Sequence, residues 1–161
     1  MGLRRRRAAP AQRRRRPRRL SGLLLHIVAR GKIGRSPEAE LVDRYLKRIA
    51  WPTKVTELAE RGPLPPAAPN SVAIALDERG TPLSSTELAG KLEAWRDGGK
   101  REARFLIGAA DGHGDAERDK ADLLLSFGPA TWPHLLVRTM LAEQLFRATS
   151  ILANHPYHRE G

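Results

Sequence analysis

The sequence predicts an α/β protein, with a mainly parallel sheet of five to six strands and helices on both of its faces. Short apolar runs alternate along the chain with segments that have a helical period. These runs are apolar throughout, which is typical of strands that are buried on both faces. The 161 residues contain no internal repeat and suffice for one domain with a sizeable core. We therefore expect residues 21–161 to form a single domain.

The first half of the chain predicts two strands, one helix and a long loop. An unbroken apolar run predicts a strand over 23–29, which ends at a glycine-containing loop. A helix over about 36–49 follows, with Ser36 as its N-cap and a proline at its first position. The alternating segment 53–58 predicts the second strand. The proline-rich segment 61–70 predicts an exposed loop.

The second half of the chain predicts three more strands and three helices. The strand over 71–76 is expected to end at the turn-forming "DERGTP". Ser84 and Glu87 form the capping-box pattern of a helix that two glycines end at 98 and 99. Apolar residues at helical spacing predict a long last helix. The remaining elements are a strand over 103–107, a short polar helix over about 115–121, a strand over 122–127 and the last helix over about 134–152.

The net charge of +11 is concentrated at the start of the chain. Residues 1–19 contain ten arginines and no acidic residue, whereas the other 142 residues hold 19 basic and 18 acidic side chains. This low-complexity composition predicts a disordered arginine-rich extension over 1–20. Two interpretations stay open: a basic tail with nonspecific affinity for nucleic acid, or sequence upstream of a functional start near Leu20 to Leu23. A signal peptide is disfavoured, because the apolar run is short and lacks a small-residue cleavage site.

The composition excludes several classes of site. The absence of cysteine excludes disulfides, thiolate nucleophiles and cysteine-based zinc sites, and it is compatible with a reducing cytoplasm. No apolar run reaches the roughly 18 residues of a membrane helix, and no cluster has metal-ligand spacing. His26 is expected to be a satisfied core or edge residue, and His113 a solvated loop residue. We expect a soluble, cytoplasmic protein without a metal.

Two loops that follow predicted strands are candidate ligand sites. In "LIGAADGHG", glycines at 108, 112 and 114 come directly after a strand, where glycine permits close approach of a ligand to the backbone. Their spacing matches neither the dinucleotide fingerprint nor a phosphate loop, so an ordinary turn is the alternative. In "SFGPATWPHLLVR", one glycine and two prolines restrict the chain before the last helix. The alternative there is that these residues only mark the start of the helix and that Trp132 packs in the core.

Three segments of the chain resemble a known family. They are "AIALDERG", "FLIGAADG" and "LSFGPATWPHLLVRTMLAEQLFRATSILANHPYHRE", of which the closing "NHPYHRE" is the most specific part. They are similar to the large-subunit ribosomal RNA pseudouridine N3-methyltransferase family, whose members are small SPOUT methyltransferases. The similarity extends from about Leu23 to Glu160. It implies a C-terminal trefoil knot, S-adenosylmethionine as cofactor, and a homodimer that acts on 23S ribosomal RNA in the assembled ribosome.

The resemblance also implies which residues form the site. Ala109 stands where the family usually has a second glycine, so its methyl group occupies space beside the cofactor. The implied cofactor-binding residues are Leu76, Gly108, Ala109, Gly128, Pro129, Ala130, Thr131, Trp132 and Pro133. The implied catalytic residues are Arg147, His155, Tyr157, His158 and Arg159, and those implied to contact RNA are His134 and Arg138.

Methyl transfer to N3 requires positioning, removal of the imide proton and stabilisation of the resulting charge. We hypothesise that His155 or His158 assists proton removal. Arg147 or Arg159 would contact phosphate or the developing anion. Tyr157 would position the flipped base or stack on it.

Purely structural roles are the alternative for the same residues. In these, His134 caps its helix, Arg138 forms a surface ion pair, and the tail only docks by packing Pro156 and Tyr157. Two other functions also stay open: a noncatalytic RNA-binding or ribosome-assembly protein, and a knotted methyltransferase with another RNA target.

Overall fold

The computed structural model describes residues 23–109 and 112–159. The arginine-rich segment 1–20 lies outside the described residues. Every helix and strand expected from the sequence is present, and only the third strand differs by more than about two residues. The elements are β1 (Leu24–Arg30), α1 (Pro37–Arg48), β2 (Thr53–Leu58), β3 (Ser71–Pro82), α2 (Ser85–Asp97), β4 (Glu102–Ile107), α3 (Asp115–Lys120), β5 (Leu123–Ser126) and α4 (His134–Leu152).

The strands form one sheet in the order β2-β1-β4-β3-β5, and all neighbouring strands are parallel. This arrangement confirms the predicted parallel α/β class, with five strands in the described part of the chain. Because the strands run in one direction, their carboxyl ends lie at one edge of the sheet. The loops that leave β4, β3 and β5 are therefore neighbours at that edge, where ligands of such sheets bind.

The main hydrophobic core lies between one face of the sheet and the three long helices α1, α2 and α4. Ile27, Ile74 and Phe105 project from neighbouring strands into this core and are almost fully buried. Leu141 and Leu145 of α4 pack against them. Burial of each such side chain stabilises the fold by about 1.5–3 kcal/mol. The core contacts therefore hold α4 firmly over the sheet, and they determine where its two ends lie.

The second face of the sheet is covered mainly by residues 59–69, which we name the cover segment. Its Leu64 packs against a small apolar cluster around Val28 and Leu106. The short α3 also lies on this face, since Glu117 of α3 is hydrogen-bonded to Arg30 of β1. Helices are thus present on both faces, as predicted, but three lie on one face and only a six-residue helix lies on the other.

Two buried arginines hold the cover segment through its backbone. Arg30 donates hydrogen bonds to the carbonyl oxygens of Ala59 at 3.1 Å and Gly62 at 2.7 Å. Arg104 donates to the carbonyl oxygen of Pro65 at 3.0 Å. These bonds give partners to guanidinium groups that the fold buries away from water. The predicted exposed loop is therefore exposed on one side and bound to the sheet on the other.

Strand β3 continues to Pro82, so the prediction that it ends at Leu76 is wrong. Its pairing with β5 is interrupted after Leu76 and resumes at Thr81. The turn-forming residues therefore form a bulge inside a longer strand instead of a turn. Gly80 is required there, because a Cβ atom would lie 2.6 Å from the carbonyl carbon and oxygen of Leu124.

No helix in residues 23–109 or 112–159 has the length and apolar character needed to cross a membrane.

Candidate active site

A pocket of about 450 Å³ opens at the carboxyl ends of β4 and β5 and beside the bulge that follows the first, regular part of β3. Its volume lies within the range of small-molecule sites. Three segments that are far apart in the sequence meet in it, as expected from the resemblance. The predicted cofactor-binding residues that line it are Leu76, Gly108, Ala109, Gly128, Ala130, Thr131 and Trp132, whereas Pro129 and Pro133 are in the same loop but do not line it.

Gly108 allows the chain after β4 to fold closely back on itself. A Cβ atom at this position would lie 2.8 Å from the carbonyl carbon of Gly112 and 3.0 Å from the backbone nitrogen of His113. Gly112 has a φ of +82° and donates its N–H to the carbonyl oxygen of Ala109 at 2.8 Å. Both ends of this turn line the pocket. The glycines therefore shape a wall of the pocket, which goes beyond an ordinary strand-to-helix connection.

His113 is buried, so the expectation that it is a solvated loop residue is wrong. Only 6% of the residue is exposed. Its Nε2 lies 3.0 Å from the carbonyl oxygen of Leu106, and its Nδ1 lies 2.8 Å from a carboxylate oxygen of Glu117. The four-residue spacing of His113 and Glu117 was the available sequence signal for this pair. The contact with Leu106 arises from the fold of the turn, which no local pattern indicates.

The loop after β5 presents Trp132 to the pocket. This residue is 44% exposed, which contradicts the alternative that it packs in the core. Gly128 has a φ of +106° and donates its N–H to the Ser126 hydroxyl oxygen at 3.0 Å. Thr131 donates its hydroxyl to the Glu78 carboxylate at 2.8 Å. The loop is thus bound at both its start and its middle.

Charged residues that the sequence reasoning missed form the polar side of the pocket. They include Asp77 and Arg118, whose Nε donates to Asp77 Oδ2 at 2.6 Å. Burial raises the pKa of Asp77, but the backbone N–H of Arg79 and the guanidinium of Arg118 lower it by more. The net pKa lies below the ordinary carboxyl value. Asp77 is therefore an ionised acceptor at neutral pH, and its position directly after the apolar run 71–76 was a usable signal.

Helix α4 begins at the pocket, with His134 in the pocket wall. The residue at the N-cap is Pro133, and no side chain forms a capping hydrogen bond there. The alternative in which His134 caps the helix is therefore wrong. The imidazole is half-buried and lies near the turn after β1, where a Cβ on Gly31 would be 3.8 Å from Nε2.

Arg138 is buried one turn further along α4, with 1% of the residue exposed. It donates to the Glu57 carboxylate at 2.6 Å and to the carbonyl oxygen of Gly31 at 3.2 Å. The hydrogen bond from Arg138 is the main cause of a lowered pKa at Glu57. The ion pair of the alternative assignment is present, but it is internal and not on the surface. An RNA contact by Arg138 requires that this pair opens.

The C-terminal tail folds back on the second half of α4. The left-handed conformation of Asn154, with a φ of +55°, reverses the chain, and the N–H of His155 bonds to the carbonyl oxygen of Ser150 at 2.9 Å. The Tyr157 ring packs on Phe146 with 4.5 Å between the ring centroids. The tail therefore docks through Tyr157, whereas Pro156 stays exposed.

Glu143 holds the residues of this tail cluster together, and sequence reasoning missed it. Its carboxylate accepts hydrogen bonds from Arg147 at 2.9 and 2.5 Å and from the Tyr157 hydroxyl at 3.1 Å. Arg147 also lies 3.2 Å from His158 Nδ1. Three of the five predicted catalytic residues are thus in contact. His155 and Arg159 are exposed beside them.

The charges of the cluster follow from these contacts. Burial, reinforced by the hydrogen bond to Glu143, raises the pKa of Tyr157 to about 12. The hydrogen bonds that Arg147 donates to Glu143 also raise the pKa of Arg147. At neutral pH the cluster therefore presents a neutral phenol next to a guanidinium cation.

The pocket and the tail cluster are separate within one chain. The pocket contacts α4 at His134 and Val137, whereas the cluster contacts it at Glu143 and Arg147. The six positions from Val137 to Glu143 correspond to about 9 Å along the helix axis. No described tail residue lines the pocket. The described residues also contain no group of three or more histidine and carboxylate side chains that could hold a metal ion.

Comparisons with known proteins show the family of the chain. A family described as predicted SPOUT methyltransferase matches residues 23–158. The chain is 67% identical over 140 residues to ribosomal RNA large subunit methyltransferase H of Rhizorhabdus wittichii, covering 86% of this chain and all of that protein. The protein of the same name from Zymomonas mobilis is 59% identical over 140 residues, covering 85% of this chain and 99% of that protein.

Solved structures share the fold at low identity. A probable methyltransferase from Bordetella pertussis has a TM-score of 0.52 at 14% identity, over 81% of this chain and 96% of that chain. A probable methylase family protein from Haemophilus influenzae has a TM-score of 0.54 at 12% identity, over 88% of this chain and 72% of that chain.

Proposed function

Because the chain belongs to the SPOUT methyltransferase family, we propose that it transfers a methyl group from S-adenosylmethionine to large-subunit ribosomal RNA. The proposed acceptor is N3 of a pseudouridine in 23S ribosomal RNA of the assembled ribosome, and the site of action is the cytoplasm. The names of its relatives support the class of RNA, and the closing "NHPYHRE" supports the acceptor. The observation that carries the proposal is the pocket at the carboxyl ends of β4 and β5, beside the bulge of β3.

The lining of the pocket suits S-adenosylmethionine. Leu76, Ile107 and Leu125 form an apolar floor, and the exposed Trp132 offers an aromatic face to an adenine ring. The ionised Asp77 offers acceptor positions for the hydroxyl and ammonium groups of the cofactor. When bound, S-adenosylmethionine supplies an electrophilic methyl group on a sulfonium sulfur. The loops of the pocket orient it and exclude water.

The tail cluster supplies the groups that the acceptor base needs. The Arg147 guanidinium, held in place by Glu143, stabilises the negative charge that spreads over the imide when N3 loses its proton. Tyr157 acts as a stacking or donor group and not as the base, because its pKa is about 12. The proton therefore passes to His155 or His158. Arg159 and His134 contact the RNA backbone.

We propose a homodimer in which the tail cluster of each chain faces the pocket of its partner. A separation of about 9 Å along α4 lies between the cluster and the pocket of its own chain, and no described tail residue lines that pocket. Trp132 and Leu136, which are 44% and 38% exposed, give the start of α4 an apolar surface for a second copy. The buried Arg138 supports this region by holding Gly31 next to His134.

The proposal is tested by calorimetry of S-adenosylmethionine binding to the full chain. Gly108→Val fills the space occupied by the backbone of residues 112–113 and is expected to abolish binding. Gly90→Ala is the matched control, because a Cβ at Gly90 in α2 meets open space. Mass spectrometry of 23S ribosomal RNA, after incubation of the enzyme with ribosomes from a deletion strain, then identifies the methylated nucleotide. Absence of cofactor binding by the wild-type chain would favour the noncatalytic RNA-binding alternative.

A further inference from the structure

Both ring nitrogens of His113 face acceptors. The Leu106 carbonyl oxygen, 3.0 Å from Nε2, can only accept a hydrogen bond, so Nε2 carries a proton. The Glu117 carboxylate, 2.8 Å from Nδ1, can also only accept when it is ionised. An ionised Glu117 therefore requires a proton on Nδ1 as well, and the ring is then an imidazolium.

The surrounding charges favour an ionised Glu117. Burial raises the pKa of its carboxyl group, but Arg30 and His113 lower it by more, so that the net pKa is below the ordinary value. Arg30 reaches Glu117 from β1 at 2.7 Å. The other nearby cation, Arg118, is directed away to Asp77 and Asp115. The set Arg30, Glu117 and His113 thus forms a cation–carboxylate–cation row, in which the partly exposed Glu117 lies between two buried side chains. The row ends at a backbone carbonyl of β4.

This row holds the turn that forms the wall of the pocket. The backbone of Gly112 and His113 lies against Gly108, and both residues line the pocket. The side chain of His113 is only 2% exposed, so its hydrogen bonds are shielded from water. Loss of the Nδ1 proton would place a ring lone pair against the Glu117 carboxylate, and the resulting repulsion would displace the turn.

We propose that His113 is a positioning residue for the cofactor: its doubly protonated ring holds the backbone of Gly112 and His113 against Gly108, in the form that accepts S-adenosylmethionine. This inference rests on the proposed function, because it concerns the same pocket. It predicts the direction in which the affinity for the cofactor changes with pH. Cofactor affinity decreases when a rise in pH removes the proton from Nδ1. A purely electrostatic effect has the opposite sign, because removing a positive charge would favour a cationic sulfonium.

The test is calorimetry of S-adenosylmethionine binding to the full chain between about pH 6 and pH 9, a range that covers the ordinary titration of imidazole. The wild-type affinity is expected to fall about tenfold across this range, the order of one hydrogen bond to a charged group. His113→Gln should bind about tenfold more weakly at the low end and lose the difference from wild type at the high end.

The matched control is His26→Gln. His26 is also a buried histidine bonded to a carboxylate, that of Glu102, but it lies outside the pocket. This variant should keep the wild-type pH profile. Titration of the cofactor's own ammonium group changes the affinity of all variants alike. The difference in affinity between His113→Gln and wild type therefore reports the contribution of His113.

A second measurement does not depend on any variant. In the wild-type chain with bound S-adenosylmethionine at about pH 6, nitrogen NMR should show protons on both ring nitrogens of His113. A single protonated nitrogen, or a His113→Gln variant with the wild-type pH profile, overturns the inference but leaves cofactor binding intact. Absence of binding by the wild-type chain overturns the proposed function and this inference together.

Discussion

The Tyr157 hydroxyl donates a hydrogen bond to the Glu143 carboxylate at 3.1 Å, and the same carboxylate oxygen accepts both bonds from Arg147. One oxygen atom of α4 therefore positions an aromatic ring and a cation that are ten residues apart. Neither of these two residues can shift without affecting the other.

Replacing Glu143 with Gln should separate positioning from cofactor binding. The amide keeps the size of the side chain but removes the charge that holds Arg147, so we expect at least about tenfold slower methylation. Cofactor affinity should not change, because Glu143 does not line the pocket. Single-turnover methylation and calorimetry measure the two quantities. Glu93→Gln, on the exposed side of α2, is the control, and equal rates for the two variants would contradict a positioning role for Glu143.

The alkaline stability of the protein should depend on Tyr157. The folded-state pKa of about 12 is above the ordinary value of 10.0, so the folded state retains the phenol proton more strongly than the unfolded state. The stabilisation is complete below about pH 10 and is lost as the pH rises toward 12. Urea unfolding over this range should show a steeper loss for the wild-type chain than for Tyr157→Phe. Parallel curves would show that the phenol is not buried as described.

The acid stability should depend on Asp77. Because its folded-state pKa lies below the ordinary 3.8, the ionised form is stabilised at neutral pH and the contribution is lost as the pH falls through the folded-state pKa. Asp77→Asn should therefore be less stable than wild type at pH 7 by about 1–3 kcal/mol, with a smaller difference at low pH. Asp115→Asn is the control, because its side chain bonds to the same Arg118 but is 95% exposed. A similar loss for both variants would assign the effect to Arg118 alone.

Mixing of two inactive chains tests whether the tail acts across a dimer. Gly108→Val disrupts the pocket, and Tyr157→Ala disrupts the tail cluster. If each site combines the pocket of one chain with the tail of the other, dimers of the two variants contain one intact site. Random mixing should then restore about a quarter of the wild-type methylation. No recovery, together with cofactor binding by Tyr157→Ala, would place both parts in one chain.

The sequence was sufficient to predict the parallel sheet and the strands that end at the pocket. Leu76, Gly108 and Gly128 follow or end apolar runs, and in a parallel sheet such positions meet at one edge. The family itself is also confirmed by the comparisons. The roles of individual tail residues stay predictions.

What the sequence could not predict depends on contacts between distant residues. The ion pair of Arg138 joins residues 81 positions apart, and nothing near either residue indicates its partner. The burial of His113 depends on a carbonyl oxygen, which every residue possesses and no pattern marks. The bulge in β3 looks like a turn in the local sequence, because it consists of polar, turn-forming residues. The pairing with β5 stops before them and resumes at Thr81.

The way in which Arg30 and Arg104 hold the cover segment has a consequence for how the protein can diverge. Their partners are the carbonyl oxygens of Ala59, Gly62 and Pro65, and a carbonyl survives any substitution. Mutations in this stretch can therefore accumulate without loss of its attachment, provided that its path is kept. The two arginines have no such freedom, since only their side chains supply the donors. We expect related chains to differ in the composition of residues 59–69 and to retain the arginines beneath.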